Sequence, residues 1–320
     1  MLSFMRTTTR LSHLSLALPV IGWAILFSMI WSSAFVAGKI GLRYTDPYTL
    51  LTARFLLAAV LLLFVCLPTM KKHIFSDRTL LRDALLLGAL NNALYLGLTF
   101  TSLRYISPEL VVVVVSCAPF LTSIIAGVLG VERIGVRIVA GIVIGFCGVL
   151  VIALARPIGT LDPTGVGLAF LGTASFAAAT VFYRNRAALH SPQQVNFWQS
   201  AIAMVLLMPL ALYQNAQGAA TLPSLPLTAV VAYLAIVVTI GGMWMWLYLI
   251  RRSGATTAST YHLANPFCGL LLSYLVLGSE FKLTDLIGIA IIVLGLFIVT
   301  RSTSGARSES KKHQSNTPSN

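Results

Sequence analysis

The chain is short of charge, and shortest of acid. Nine Asp and Glu stand against 22 Lys and Arg in 320 residues, and charged residues make up only 10% of the total. A soluble domain usually carries about 25%. With 57% apolar residues and a mean hydropathy of +0.87, the chain cannot clothe a water-soluble globule of this size. What remains is an all-α polytopic membrane protein.

Other absences narrow the chemistry. Four cysteines, Cys66, Cys117, Cys147 and Cys268, all lie in apolar runs without metal-type spacing, so they read as free thiols packed as small core residues. There is no H-E-x-x-H, G-x-S-x-G or P-loop, and no span holds two midplane acids. Of the five histidines only His262 lies within a span. No catalytic or metal site is therefore expected, and no cofactor. The net charge of +13 does not point to nucleic acid: zinc-finger spacing, RNP-like patterns and basic-aromatic ribbons are missing, and the bases sit in short clusters between apolar runs.

What is present is a series of long apolar runs. A span needs about 20 mostly apolar residues. Ten segments meet this, at 17–38, 48–69, 80–103, 107–130, 135–155, 163–183, 193–213, 227–250, 255–277 and 284–300. The start, MLSFMRTTTR and the apolar run after it, is similar to a signal peptide but reads as an uncleaved first helix, because the run continues to Gly38. Residues 1–16 are then a cytoplasmic segment, and the polar, Ser-rich tail 301–320 is expected to be disordered. Asp46-Pro47, Ser107-Pro108, Asp162-Pro163 and Ser191-Pro192 each place a capping side chain before a proline, which marks helix starts. Placing the N-terminus inside leaves sixteen bases on inside segments and five on outside loops, with Arg54 in a span. That bias puts both termini in the cytoplasm of a multi-pass protein of the cell membrane, the inner membrane in a bacterium.

The chain repeats itself. CAPFLTSIIAGVLGVE (117–132) answers ANPFCGLLLSYLVLGSE (264–280), each reading Pro-Phe, an apolar stretch, then Leu-Gly-x-Glu. Gly141 and Gly148 match Gly288 and Gly295, and Asp46-Pro47 answers Ser191-Pro192. Five spans per half put the second copy into the membrane from the opposite side, the arrangement of secondary transporters with a midplane site between the halves. The halves are 17–155 and 163–300.

Trp31-Ser-Ser-Ala-Phe-Val-Ala-Gly-Lys39 and the paired Pro-Phe…Gly-x-Glu…Gly…Gly blocks resemble the EamA-type transporters of the drug/metabolite transporter superfamily. The resemblance covers about residues 17–300. It implies ten helices in two inverted five-helix repeats, and a central cavity lined by helices 1, 3, 4, 6, 8 and 9. It also implies export or exchange of small metabolites. The second half carries Phe176 where the first has Trp31, so the implied aromatic lining differs between the halves.

Residues 260–269, TYHLANPFCG, interrupt the ninth apolar run. Pro266 has no N–H, so the His262 carbonyl loses its helical donor and a kink is expected. Pro119 does the same to Val115 in the fourth span. A freed carbonyl is tolerated only where it faces protein or a wet cavity. Tyr261, His262 and Asn265 share one helix side. His262 reads either as a packing ring or as a substrate contact or protonatable coupling group, its ordinary pKa lying near about 6.5. Further stripes carry Trp31 and Ser32, then Asn91, Asn92 and Tyr95, then Ser116, then Thr173 and Thr180, and then Trp244 with Tyr248. Aromatics mixed with amides and hydroxyls suit an amphipathic organic solute. Arg54 reads first as a base snorkelling to the interface, with anion attraction or gating as the other reading. Glu109 reads as a helix-start acid that could also couple or gate. Glu132 and Glu280 read as turn or fold residues. The sequence thus describes a carrier whose partners are a small-molecule substrate and the lipid bilayer. A channel or a non-transport binding or signalling subunit is the alternative, and a homodimer stays open.

Overall fold

A computed structural model describes residues 2–67, 77–106, 108–155, 162–186, 190–217, 224–277 and 282–315. It is built of helices throughout the described residues. They are α1 (Leu2–Gly41), α2 (Pro47–Cys66), α3 (Arg78–Ser102), α4 (Pro108–Val115 and Ala118–Val128) and α5 (Val136–Leu154). The second half holds α6 (Pro163–Arg186), α7 (Pro192–Ala216), α8 (Leu225–Ser253), α9 (Ala255–Thr260 leading to Asn265–Leu277) and α10 (Leu283–Ser315). Among the described residues all but α9 are by themselves long and apolar enough to cross a membrane.

The starts follow the capping chemistry in the sequence. Asp46 Oδ1 accepts the Tyr48 and Thr49 N–H groups at 2.8 and 3.1 Å, and Asp162 Oδ1 those of Thr164 and Gly165 at 2.7 and 3.3 Å. Ser191 Oγ accepts from Gln194 at 3.2 Å. Each satisfies donors that the first helical turn leaves orphaned. Ser107 lies outside the described residues, as does Glu280. The tail departs from expectation: α10 runs on to Ser315 instead of ending near residue 300. The Ser-rich stretch after Arg301 has no proline before Pro318, and Ala306, Arg307, Glu309, Lys311, Lys312 and Gln314 within it are good helix formers.

Equivalent helices of the two halves pair antiparallel, which makes the repeat inverted. In the α2–α7 pair, Asn215 Nδ2 donates to Thr49 Oγ1 at 3.2 Å at one end, while Leu62 and Cys66 pack on Phe197 at the other. In the α5–α10 pair the backbones touch through glycine. A Cβ on Gly148 would lie 2.6 Å from the Gly288 carbonyl oxygen, and one on Gly295 would lie 2.5 Å from the Gly145 nitrogen. Small residues let membrane helices approach until dispersion between backbones holds them. Outside the bundle, side chains such as Phe64, Val65, Ile124, Leu212, Leu294 and Phe297 form an exposed apolar surface suited to lipid.

Two kinds of irregularity recur at matching places. α3 and α8, third in their halves, each contain a π segment, Gly88–Leu94 and Leu234–Gly242. α4 and α9, fourth in their halves, are broken just before their prolines. In α4 the chain turns at Ser116 and Cys117 ahead of Pro119, with Ser116 Oγ bonding the Val112 carbonyl at 2.8 Å. In α9 a 3-10 turn, Tyr261–Ala264, precedes Pro266. The His262 carbonyl does not go begging as the sequence reading has it: it accepts the Asn265 N–H within the tighter turn. The neighbouring carbonyls of Tyr261 and Asn265 accept Ser28 Oγ and Ser32 Oγ from α1 at 3.1 and 3.0 Å.

Candidate functional site

The breaks and π segments surround an aromatic centre. Phe27 and Trp31 (α1), Tyr95 (α3), Phe176 (α6), Trp246 (α8) and His262 (α9) pack ring on ring. Phe176 stacks on Trp246 at 5.2 Å, Phe27 on Trp246 at 5.2 Å, and Tyr95 lies 4.7 Å from Phe176. The matched pair Trp31 and Phe176 meet here at 5.8 Å. The His262 ring stands edge-on to four aromatics, with centroids 5.0 to 5.4 Å from those of Trp246, Phe176, Phe27 and Trp31. Offset and edge contacts of this kind each add about 0.5–1.5 kcal/mol beyond burial. Trp31 Nε1 donates to the Tyr95 hydroxyl at 3.3 Å.

Polar groups line this centre unevenly. His262 Nδ1 pairs with Asn265 Nδ2 at 2.9 Å, while His262 Nε2 and Asn265 Oδ1 are buried without a partner. With the amide as donor, the ring proton sits on Nε2. Among the described residues no carboxylate bonds the ring. Ser116, Thr173 and Thr180 turn their hydroxyls onto the carbonyls of Val112, Ala169 and Phe176 in their own helices, at 2.8, 2.7 and 2.8 Å. Tyr261 is buried at the α9 turn, and Ser32 ties α1 to it.

A second polar group lies beside the rings and joins α2, α3, α7 and α8. Arg54 Nε donates to Thr239 Oγ1 at 2.6 Å, and the Thr239 carbonyl accepts Asn196 Nδ2 at 2.9 Å. Gln199 Nε2 donates to Asn196 Oδ1, and Asn91 Nδ2 donates to both Gln199 Oε1 and Asn92 Oδ1. Arg54 is only 3% exposed, which overturns the snorkelling expectation: its side chain turns inward to Thr239, not outward to the interface. A hollow of about 10 Å³, near the size of one water, touches Asn91, Gln199, Thr180 and Trp246. The centre is therefore closed in this conformation.

One expected lining residue is elsewhere. Trp244 stacks on Tyr248 at 5.9 Å and meets Trp23 at 5.7 Å, away from the centre, and Trp246 holds the central place instead. The reason is the π segment, whose extra residue per turn advances every side chain after it relative to a 3.6-residue stripe. Sequence reasoning also missed Phe27 and the α7 amides. Asn196, Gln199 and Ser200, at i, i+3 and i+4 in an apolar run, were the available signal. Pro119 and Pro266 stand just after the two helix breaks. The side chain of Glu109 lies outside the described residues.

The two ends differ. At the starts of α3, α7 and α9, Asp83 Oδ2 holds His190 Nε2 at 3.0 Å and Arg186 Nε at 3.4 Å, and Arg251 donates to the His190 carbonyl. Glu132, beyond α4, accepts the Ala255 and Thr256 N–H groups at 2.6 and 3.0 Å and so caps α9 of the other half. At the opposite end Lys39 Nζ donates to the Leu103 carbonyl at 2.7 Å beside a hollow of about 180 Å³. Among the described residues no three of His, Cys, Asp and Glu gather as a metal site requires.

Known proteins share this organisation. A transporter of Archaeoglobus fulgidus is 28% identical over 87% of this chain and 98% of its own length. The Escherichia coli inner membrane transporter YedA is 27% identical over 88% and 91%. A Salmonella typhimurium protein described as a "Probable amino-acid metabolite efflux pump" is 27% identical over 86% and 92%. A solved crystal structure superposes with a TM-score of 0.71 at 18% identity, covering 91% of this chain and 99% of that one, and shares the fold. The EamA-like transporter family matches twice, over residues 18–154 and 163–301. With each half of an inverted helical repeat matched in turn, the chain belongs to the EamA-like transporter family and is a multi-pass membrane transporter, not an enzyme.

Proposed function

We propose that the protein is an alternating-access secondary carrier that exports a small organic metabolite, such as an amino acid, a related compound or a drug. One observation carries the reading. Each half brings a π segment and a proline-broken helix to a shared aromatic centre, which is closed here. Irregular backbone at membrane depth is tolerated only inside protein or along a wet passage. In this reading α4 and α9 flex at Pro119 and Pro266 while the halves rock. The Trp31, Tyr95, Phe176, Trp246 and His262 rings part to admit the solute, and Ser32, Asn91, Asn92, Ser116, Thr173, Thr180, Tyr261 and Asn265 meet it. His262 serves as a packing and hydrogen-bonding ring, since it is fully buried among aromatics. The Asp83 and Glu132 contacts form the closed cytoplasmic gate, with both termini on that side of the inner membrane. The Salmonella relative's description favours export.

Counterflow tests this. Purified protein in vesicles preloaded with an unlabelled metabolite should accelerate and saturate uptake of the same labelled compound. A linear, unsaturable flux without trans-stimulation would identify a channel instead. A reporter fused at residue 320 should face the cytoplasm.

A further inference from the structure

Arg54 holds a guanidinium deep in the bundle, and among the described residues no anion answers it. Among the described residues no carboxylate lies within ion-pair distance, and its guanidinium Nη1 is buried without any partner. The ring of Phe55 sits 5.4 Å away, which softens the burial but does not neutralise it. Along the same polar group Asn92 Nδ2 and Ser200 Oγ are also buried and unpartnered. Burying a charge is costly unless it is paired, and ionisable groups at membrane depth mark substrate or ion pathways.

The character of that partner follows from what is left over. The surplus is one positive charge with the Asn92 donor and the Ser200 hydroxyl, against one spare acceptor, Asn91 Oδ1; only the charge has no counterpart, so the partner carries one negative charge. A water would satisfy the hydrogen bonds but not the charge. A phosphate dianion would need a second cation, and among the described residues none is bonded into this group. A planar carboxylate matches a guanidinium fork. The chain Arg54–Thr239–Asn196–Gln199–Asn91 runs from this charge to the hollow against Thr180 and Trp246, where an apolar body would meet the aromatic wall. Among the described residues no acid stands with this group to receive an ammonium.

We infer that Arg54, with the unpartnered Asn92 amide and Ser200 hydroxyl, forms the recognition site for the carboxylate of an organic monoanion with an apolar or aromatic body. The inference rests on the carrier reading and names its substrate class. The side chains close over the site in this conformation, and opening of the aromatic centre exposes it.

The test uses the purified full chain in detergent and matched probes: phenylacetate against phenylacetamide, and hexanoate against hexanamide. The acids should raise the thermal unfolding midpoint and the amides should not. Arg54→Gln should weaken acid binding roughly tenfold or more, the loss of a charged hydrogen bond, and Arg54→Lys should keep part of it. Should Arg54→Gln fail to fold, the acid-against-amide comparison on the unaltered chain and on Arg54→Lys still decides. The site is overturned if the amides bind as well as the acids, if no acid stabilises the chain, or if Arg54→Gln binds acids unchanged. The two readings fail differently. Acid binding without counterflow would remove the carrier and leave the site. Counterflow of uncharged solutes with no preference for acids would remove the site and leave the carrier.

Discussion

Gly295→Ala probes the interlock of α5 and α10 with a single methyl group. The new Cβ would lie 2.5 Å from the Gly145 nitrogen and 2.6 Å from both the Gly141 oxygen and the Gly145 Cα, all backbone atoms that no rotamer can move aside. Restoring contact distance needs the helices to part by roughly 0.9 Å, and a gap of that size forfeits about a quarter to a half of each dispersion contact it opens. Alanine itself favours a helix by about 1 kcal/mol over glycine, so the measured loss is a difference of two effects. Overpacking of this kind costs about 1–3 kcal/mol. The control is Gly167→Ala on α6, where the added Cβ meets nothing within 4 Å and only the propensity gain remains. Unfolding in mixed detergent micelles, followed by tryptophan fluorescence, should rank Gly167→Ala at or above the parent and Gly295→Ala below it. Equal stability of the two variants would refute the backbone-contact interlock.

Glu132→Ala removes the carboxylate that receives the Ala255 and Thr256 N–H groups, and should cost about 2–3 kcal/mol of thermal stability. Glu132→Gln keeps one acceptor oxygen and should lose about half of that; an unchanged midpoint for the alanine variant would remove the cross-repeat cap. His262→Phe preserves the ring packing, so counterflow and any response of flux to an imposed pH gradient should match those of the parent chain. Loss of the gradient response with counterflow intact would return His262 to a proton-coupling role. Single cysteines at positions 92, 116 and 265 should react with a water-borne thiol reagent during turnover and react slowly in the closed state. Failure of any one to react under both conditions would take that residue out of the passage.

Much of this architecture is written in local chemistry. An apolar run of sufficient length must span, and Asp46-Pro47 or Ser191-Pro192 must start a helix, whatever lies beside them. The repeat was legible because Pro119 and Pro266 cannot donate a hydrogen bond and because Gly148 and Gly288 leave room for a neighbouring backbone. Those constraints act within one helix or recur at a fixed spacing, so a reader of the chain alone can find them. The direction in which a side chain points is another matter. Arg54 turns inward because Thr239 and the α7 amides offer a polar place for it, and those residues lie far along the chain. Trp246 faces the centre and Trp244 does not because the π segment before them advances the helix. Rotation about a helix axis is set by the neighbours that pack against it, and the π advance is chosen only once those neighbours are present. The sequence by itself determined ten spans, their inversion and their breaks; only the tertiary structure decided which faces of those helices enclose the buried charge and the rings.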